Sequence, residues 1–464
     1  MISNALRQRS QQLTLAFLDR EYFNRLIKIA FPIALQQFIM SSLNMVGAIM
    51  IGQLGEVSVA AVGLANQIFF LENLLLFGIY SGATIFTAQF WGRKDIANIR
   101  RVVGLALALG LAASLFFLAL AQFFTERVLG IYSKDAAVVA LGSEYLHTFG
   151  WGYVFVAITF CYASVLRSVG DVKTPVIVSV GALCLNTLLS YGLILGNFGM
   201  PKLGVRGAAI ATLSARIIEC CVLLLFTYQR RSPAAASLRE MLSVNLTFAG
   251  KVLRRVVPVA VNELLWSLGI TAYSVVYARI STESIAAMNI VGTFDGLAIV
   301  IFVALGSACA VLVGHRIGAN EERQAYRYAV RSMVLGIGGA ILVGGLILTM
   351  SGYVLTFYKV SPLVIEYAKK MLIVLSLFLW IRVANLILFI GAFRAGGDIR
   401  FAFVLDAGTI WVVGVPLAFL GAFTLHLPVY WVYLLLMTDE VTKLTISAFR
   451  FFSKKWIHNL AETM

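Results

Sequence analysis

The sequence predicts an all-α integral membrane protein of twelve transmembrane helices, arranged as two pseudo-symmetric six-helix lobes. Three observations carry that expectation. The 464 residues are 60% hydrophobic and only 13% charged, and the mean hydropathy of +0.89 leaves far too little polar surface for a soluble domain. Apolar runs of roughly 20 residues or more recur along the whole chain, the length that crosses about 30 Å of hydrocarbon as a helix. A membrane β-barrel would show short alternating segments instead. Finally, the second half of the sequence repeats the first.

The elements follow in order. Residues 1–24 are polar, carry Arg7, Arg9 and Arg20, and contain no short apolar stretch, so they read as a cytoplasmic, amphipathic N-terminal segment and not as a cleavable signal. Six spans are expected near 25–52, 59–90, 100–124, 139–165, 174–198 and 205–229, forming an N-terminal lobe over 25–229. The polar stretch 230–249, with Ser232-Pro233, is the cytoplasmic linker. Six more spans, near 250–278, 285–315, 327–350, 365–393, 401–424 and 428–452, form a C-terminal lobe over 250–455, and 456–464 is a cytoplasmic tail. The five cysteines lie in apolar spans without CxxC or Cys/His spacing and read as small core residues.

The formal charge of +15 raises the question of nucleic acid, and the positions of the 37 basic residues answer it. Arg127, Lys134, Lys202, Arg206, Arg279, Lys359, Lys369 and Lys370 fall on one side of the membrane, and Arg216, Arg382 and Lys443 fall within spans. All the rest, including Arg93, Lys94, Arg100, Arg101, Arg230, Arg231 and Lys251, fall on the other side. This is the positive-inside asymmetry, and it places both termini in the cytoplasm. The charge then serves topology and anionic lipid headgroups, with no nucleic-acid partner.

A shift of 226 residues brings the halves into register. Pro32 meets Pro258, Ala34 meets Ala260, Ser58 meets Ser284, Ser81 meets Ser307 and Gly92 meets Gly318. One further residue aligns Arg167-Ser168-Val169-Gly170-Asp171 with Arg394-Ala395-Gly396-Gly397-Asp398. Matches so far apart with so few gaps indicate duplication. Each half holds an even number of spans, so both insert in the same orientation, and a cleft between two lobes with rocking motion gives alternating access.

Four motifs carry a family likeness: Met50-Ile51-Gly52-Gln53-Leu54-Gly55, Ala88-Gln89-Phe90-Trp91-Gly92, the stretch from Leu166 to Pro175 with Arg167-Ser168-Val169-Gly170-Asp171, and the stretch from Gly204 to Thr212. In this ordered set the chain resembles the multidrug and toxic compound extrusion (MATE) family from about residue 25 to 450. The resemblance implies export of cationic amphipathic compounds, driven by protons or sodium ions moving inward across the cell's plasma membrane. Many members carry acids in the first and fifth spans. Here those positions read Gly47 and Ser190, beside a retained Asn186, which argues against a proton site in the N-terminal lobe. The tenth-span acid of some sodium-coupled members is also absent, since that stretch reads Trp380-Ile381-Arg382-Val383-Ala384-Asn385.

An ionised side chain at the centre of a span costs roughly 2.5 to 3.5 kcal/mol, so each needs a partner or a task. Glu263 lies five residues after Pro258. The family's seventh-span carboxylate falls about one turn further on, near Trp266, and a three-residue shift keeps the same helical face. Glu263 is read as a proton or sodium site, the other reading being a structural hydrogen bond. Asp295, with no basic residue within two helical turns, is the second candidate for coupling or substrate contact. Glu72 sits one turn beyond Phe69, the residue that the repeat sets opposite Asp295. It lines the cavity or carries its head into water at the outer leaflet.

Arg216 with Glu219, and Glu440 with Lys443, are spaced three apart and read as self-neutralised structural pairs, with Asp406 and Asp439 as added members and Arg382 available as a counter-ion elsewhere. Trp266 is the aromatic singled out for substrate, because a ring one turn from a carboxylate suits an organic cation. Asn262, Gln36, Gln37, Asn44 and Asn66 are polar lining or interhelical bonds. Arg167/Asp171 and Arg394/Asp398 read as cytoplasmic turn locks.

No cofactor is expected beyond the coupling ion, H+ or Na+, the latter at Glu263 and Asp295. An enzyme is disfavoured because His147, His315, His426 and His458 are scattered without metal or nucleophile spacing. A lipid or lipid-linked oligosaccharide flippase of the same wider superfamily is the alternative. It would want a basic cavity for a diphosphate, whereas acids outnumber bases in the spans. One chain offers a complete pathway, so a monomer is expected.

Overall fold

The computed structural model describes residues Arg20–Tyr358 and Val360–Glu462. They form helices and loops, with one isolated bridge between Gly397 and Ile457 and no strand among them. Most of the expected N-terminal amphipathic segment, and Lys359, lie outside the described residues. Arg20–Asn24 belong to the first span, which starts earlier than its hydropathy suggests.

Among the described residues ten helices are long and apolar enough to cross a membrane. They are the first span Arg20–Gly52, second Glu56–Gly92, third Ile96–Phe123, fifth Lys173–Leu195, sixth Gly204–Gln229, seventh Leu246–Ile280, eighth Thr282–Gly318, ninth Glu322–Leu355, tenth Pro362–Phe393 and eleventh Ile399–Thr424. The fourth is a broken pair, Ala136–Phe149 and Gly152–Ser168, bent by 53°. The twelfth, Val429–Phe452, has the length but carries Asp439, Glu440, Lys443 and Arg450. It belongs in an apolar setting only because those charges find partners. Short helices at Thr125–Tyr132 and Leu238–Leu242 are additions to the sequence reading.

The chain signals where helices stop. Asp95, Asp135, Ser281 and Ser361 cap helix N-termini by accepting backbone N–H bonds. The duplication is visible in the backbone. The second and eighth spans are both 37 residues long and offset by 226. Lys94 and Asn320, one repeat apart, both take positive φ (62° and 63°) in the turn that follows. Gly170 and Gly397 do so at φ 93° and 77° in the other conserved turn, where a Cβ would strain the backbone. Pro32 and Pro258 lie inside the first and seventh spans. The tenth and eleventh spans contain π-helical stretches at Ile387–Phe393, Ile410–Gly414 and Leu420–Thr424, wider turns that often mark functional regions.

The residues pack into two compact units whose borders differ from the halves of the sequence. One, the C-terminal unit, joins Arg20–Ala34 to Leu268–Asn459; the other, the N-terminal unit, joins Leu35–Ser267 to Leu460–Glu462. The reason lies at two helix ends. In the C-terminal unit, Tyr22 of the first span lies 2.7 Å from the Ser332 hydroxyl and packs on Tyr328, with Arg331 over its ring. In the N-terminal unit, the seventh span approaches the second so closely that a Cβ on Gly78 would come within 2.5 Å of Ala260 Cα, and one on Gly82 within 2.8 Å of Val256 Cα. Small residues four apart let the backbones touch, as interhelical packing in lipid requires.

The linker is not a bare tether. Ser237 and Glu240 form a capping box, and Glu240 accepts from Arg100 of the third span at 2.5 Å. The Ser237 backbone N–H, then Arg100 and the Ser237 hydroxyl, hold the Glu240 carboxyl down at about 2. The C-terminal Leu460 N–H donates to Gln89 Oε1 at 2.7 Å. Of the cysteines expected in the core, Cys161, Cys220 and Cys309 are buried, while Cys184 and Cys221 lie on exposed helix faces.

Candidate functional site

In the C-terminal unit the ionisable side chains of four spans meet. Asp295 of the eighth span, expected to stand unpaired, is held by Arg382 of the tenth. Nη1 bonds Oδ1 and Nη2 lies 3.1 Å from Oδ2, a two-pronged contact that matches guanidinium to carboxylate. Helical spacing relates residues of one helix only, and the partner of Asp295 comes from another. One turn past Arg382, Asn385 donates through Nδ2 to the Glu440 carbonyl at 2.8 Å and to Glu440 Oε2 at 2.7 Å.

The expected Glu440–Lys443 pair is replaced by a different one. Lys443 Nζ lies 3.2 Å from Asp406 Oδ1 of the eleventh span and 3.3 Å from Asp439 Oδ2, four residues back on its own helix. Spacings of three and four both place charges on one helical face, and the presence of Asp406 on that side decides between them. Tyr273 reaches Asp439 Oδ2 at 3.5 Å, and Asp439 Oδ1 is buried with no hydrogen-bond partner among the described residues. Asp295 is thus paired with Arg382, Asp406 and Asp439 share Lys443, and Glu440 is held by Asn385, one turn from Arg382.

The N-terminal unit is organised otherwise. Arg216 and Glu219 do form the expected three-residue pair at 2.8 Å, and Ser179 donates to the other Glu219 oxygen at 2.6 Å. They line a small recess with Asn186 and Thr212. Asn186 accepts from the Thr212 hydroxyl at 3.3 Å and from Ser190 at 3.5 Å. Glu72 is 0% exposed, so it neither reaches water nor lines an open cavity in this structure. Its Oε1 accepts from Ser114 at 2.6 Å. An apolar run gave no sign of that Ser114 partner on the third span.

The remaining candidates gather in this same unit. Glu263 and Asn262 are buried on the seventh span, and Trp266, three residues on from Glu263, is 41% exposed. Gln36 is buried, Gln37 half-buried, and Asn44 and Asn66 exposed. All the sequence-derived coupling and substrate candidates except Asp295 therefore belong to the unit holding Leu35–Ser267, while Asp295, like Glu440 and Lys443, belongs to the other. The turn residues also find partners: Asp171 accepts from the Thr174 N–H and hydroxyl at 3.2 and 2.8 Å, and Asp398 pairs with Arg450 at 2.7 Å. Among the described residues no group of three or more His, Cys, Asp or Glu side chains is placed to hold a metal ion.

Comparison with known proteins matches residues 32–192 and 258–420 to the MatE family. The two matched blocks start at Pro32 and Pro258, one repeat apart. The chain is 28% identical over 394 residues to YoeA of Bacillus subtilis, a probable multidrug resistance protein, covering 84% of each chain. It is 25% identical over 401 residues to the multidrug resistance protein PmpM of Pseudomonas aeruginosa, covering 86% of this chain and 84% of that one. Among solved structures, a mutant of the Vibrio cholerae MATE transporter VcmN superposes with a TM-score of 0.84 at 18% identity, over 93% of this chain and 97% of that one. At that identity the likeness concerns the fold alone.

Proposed function

The chain belongs to the MatE family of membrane transporters, and from that premise we propose that it is a secondary antiporter exporting cationic amphipathic compounds in exchange for H+ or Na+ by alternating access. The observation that carries this reading is the seventh span, where buried Glu263 and Asn262 sit one turn from the exposed indole of Trp266. An organic cation stacks on Trp266 and is drawn to Glu263, and a proton or sodium ion competes for the same carboxylate. Gln36, Asn44 and Asn66 supply polar contacts in the same unit.

Asp295 takes part as half of an ion pair. A proton or sodium ion reaches it only by displacing Arg382, so it tunes the exchange and Glu263 carries it. The three basic residues within spans support export of cations over flipping of a diphosphate-linked lipid, because Arg216, Arg382 and Lys443 are already engaged with carboxylates. The protein is proposed to lie in the plasma membrane as a monomer with both termini cytoplasmic, on the strength of the charge asymmetry.

Ethidium efflux from cells expressing wild type and Glu263→Gln, with proton and sodium gradients imposed separately, tests the reading. Efflux that needs one gradient and is lost in Glu263→Gln is the expected result. No efflux by folded, inserted wild type under either gradient overturns it and turns attention to the lipid-linked substrate.

A further inference from the structure

The second, third and fourth spans of the N-terminal unit pack on one another, and Glu72 is enclosed among them with no exposed surface. Ser114 is its hydrogen-bond partner, at Oε1. Oε2 is buried and bonded to nothing among the described residues, and so is the Tyr153 hydroxyl of the fourth span. The two belong to one aromatic pocket. Phe69, one turn before Glu72, stacks on Tyr153 with centroids 6.2 Å apart, and Phe149 and Phe117 set their edges or faces against the same tyrosine at 5.5 and 6.4 Å.

The charged groups of the surrounding elements do not neutralise this acid. Arg216 is paired with Glu219. Arg100, Arg101 and Arg167 stand at helix ends, more than a dozen residues along the third and fourth spans from Ser114 and Tyr153, on the order of 20 Å at the helical rise. Glu126, Arg127, Glu144 and His147 face outward. Tyr80 spends its hydroxyl on the Ala157 carbonyl at 2.8 Å, and Tyr145 is a neutral neighbour in the same core.

An ionised Glu72 would therefore hold a full charge in an apolar enclosure with one hydrogen bond, its one interacting cation, Arg216, being already paired with Glu219, the arrangement that buried side chains avoid. A neutral acid keeps the Ser114 bond on its carbonyl oxygen and places its hydrogen on Oε2, the oxygen without a partner. We propose that Glu72 is a proton-binding site of the N-terminal unit, loaded while enclosed as in this structure and discharged to water when the second, third and fourth spans part. The sequence argued against a proton site in this lobe, since the family's positions read Gly47 and Ser190. The structure assigns the role to a different helix. The proposal rests on the antiport reading only for what the proton drives.

Infrared spectroscopy of the protein in liposomes tests the protonation directly. The C=O stretch of a protonated carboxylic acid is expected at neutral pH in wild type, lost in Glu72→Gln and shifted in Ser114→Ala, which removes the hydrogen bond to that carbonyl. A band unchanged in Glu72→Gln overturns the proposal. Should Glu72→Gln fail to fold, Ser114→Ala decides: a shifted band supports the site and an unshifted one overturns it. Transport supplies the second readout. A pH gradient is expected to accelerate ethidium exchange by wild type and not by Glu72→Gln whose thermal unfolding shows it folded. A wild-type response to that gradient in the variant overturns the coupling role. Wild type that moves no ethidium at all sinks the antiport reading and leaves the infrared result standing.

Discussion

The two units carry the same backbone plan and opposite solutions to the problem of charge in a membrane. The unit holding Leu268–Asn459 joins three carboxylates to two cations, and a fourth, Glu440, to Asn385, across the eighth, tenth, eleventh and twelfth spans. The unit holding Leu35–Ser267 keeps one local pair, Arg216 with Glu219, and encloses Glu72 with a single hydroxyl. Spans of matched length and turns of matched φ show that the duplication fixes geometry. It does not fix chemistry: Phe69 and Asp295 occupy equivalent positions, and so do Gly78 and Ala304. In one unit the charges are structural members; in the other the close approach of backbones does that work.

Removing a cation from the network should therefore have the largest effect. Arg382→Ala leaves Asp295, which is half-buried within its span, without its counter-ion, and a cost of about 3 kcal/mol is expected for an ionised carboxylate left unpaired inside a span. Thermal unfolding in detergent reads the loss, and Arg382→Gln with Asp295→Asn together should recover most of it. An unchanged unfolding temperature for Arg382→Ala would break the contrast between the units.

A smaller loss is expected in the N-terminal unit from Gly78→Ala, whose new methyl would meet the Ala260 backbone. Overpacking of this kind costs about 1–3 kcal/mol. Gly181→Ala in the fifth span, where a Cβ meets nothing within 4 Å, is the control and should lose no stability. Equal behaviour of the two variants would remove the claim that backbone contact holds the second and seventh spans together.

The smallest effect belongs to the linker. The Glu240 carboxyl is held below its ordinary value, so its contribution is present in full above that value and is lost as pH falls from about 4.5 towards about 2. Cleavage of residues 230–249 by an acid-active protease should accelerate across that window in wild type. Glu240→Gln should be cleaved readily on both sides of it, and a wild-type profile in that variant would separate the linker from the third span.

Much of this was legible in the residues. Every expected span has a helix at its place, because apolar length is a local property that a membrane rewards directly. The conserved turns were legible too, since Gly170 and Gly397 report a backbone conformation that other residues resist. The bend between Phe149 and Gly152 went unread although Gly150 and Gly152 flank Trp151 there, and the π-helical stretches of the tenth and eleventh spans left no such mark. Of the candidate site, the seventh-span residues Asn262, Glu263 and Trp266 could be named from spacing. Their membership of the N-terminal unit could not, because it follows from where Gly78 and Gly82 let two helices touch.

The sequence by itself determined the helices, their order, the duplication and which side chains would have to manage a charge inside a membrane. Tertiary structure alone decided how they manage it. It brought Arg382 to Asp295, turned Lys443 from Glu440 to Asp406 and Asp439, and closed Ser114 and the aromatic rings over Glu72. Helical periodicity relates residues three or four apart, whereas an ion pair between spans depends on which helix faces meet. That is set by side-chain volumes and close backbone approach summed over the whole unit.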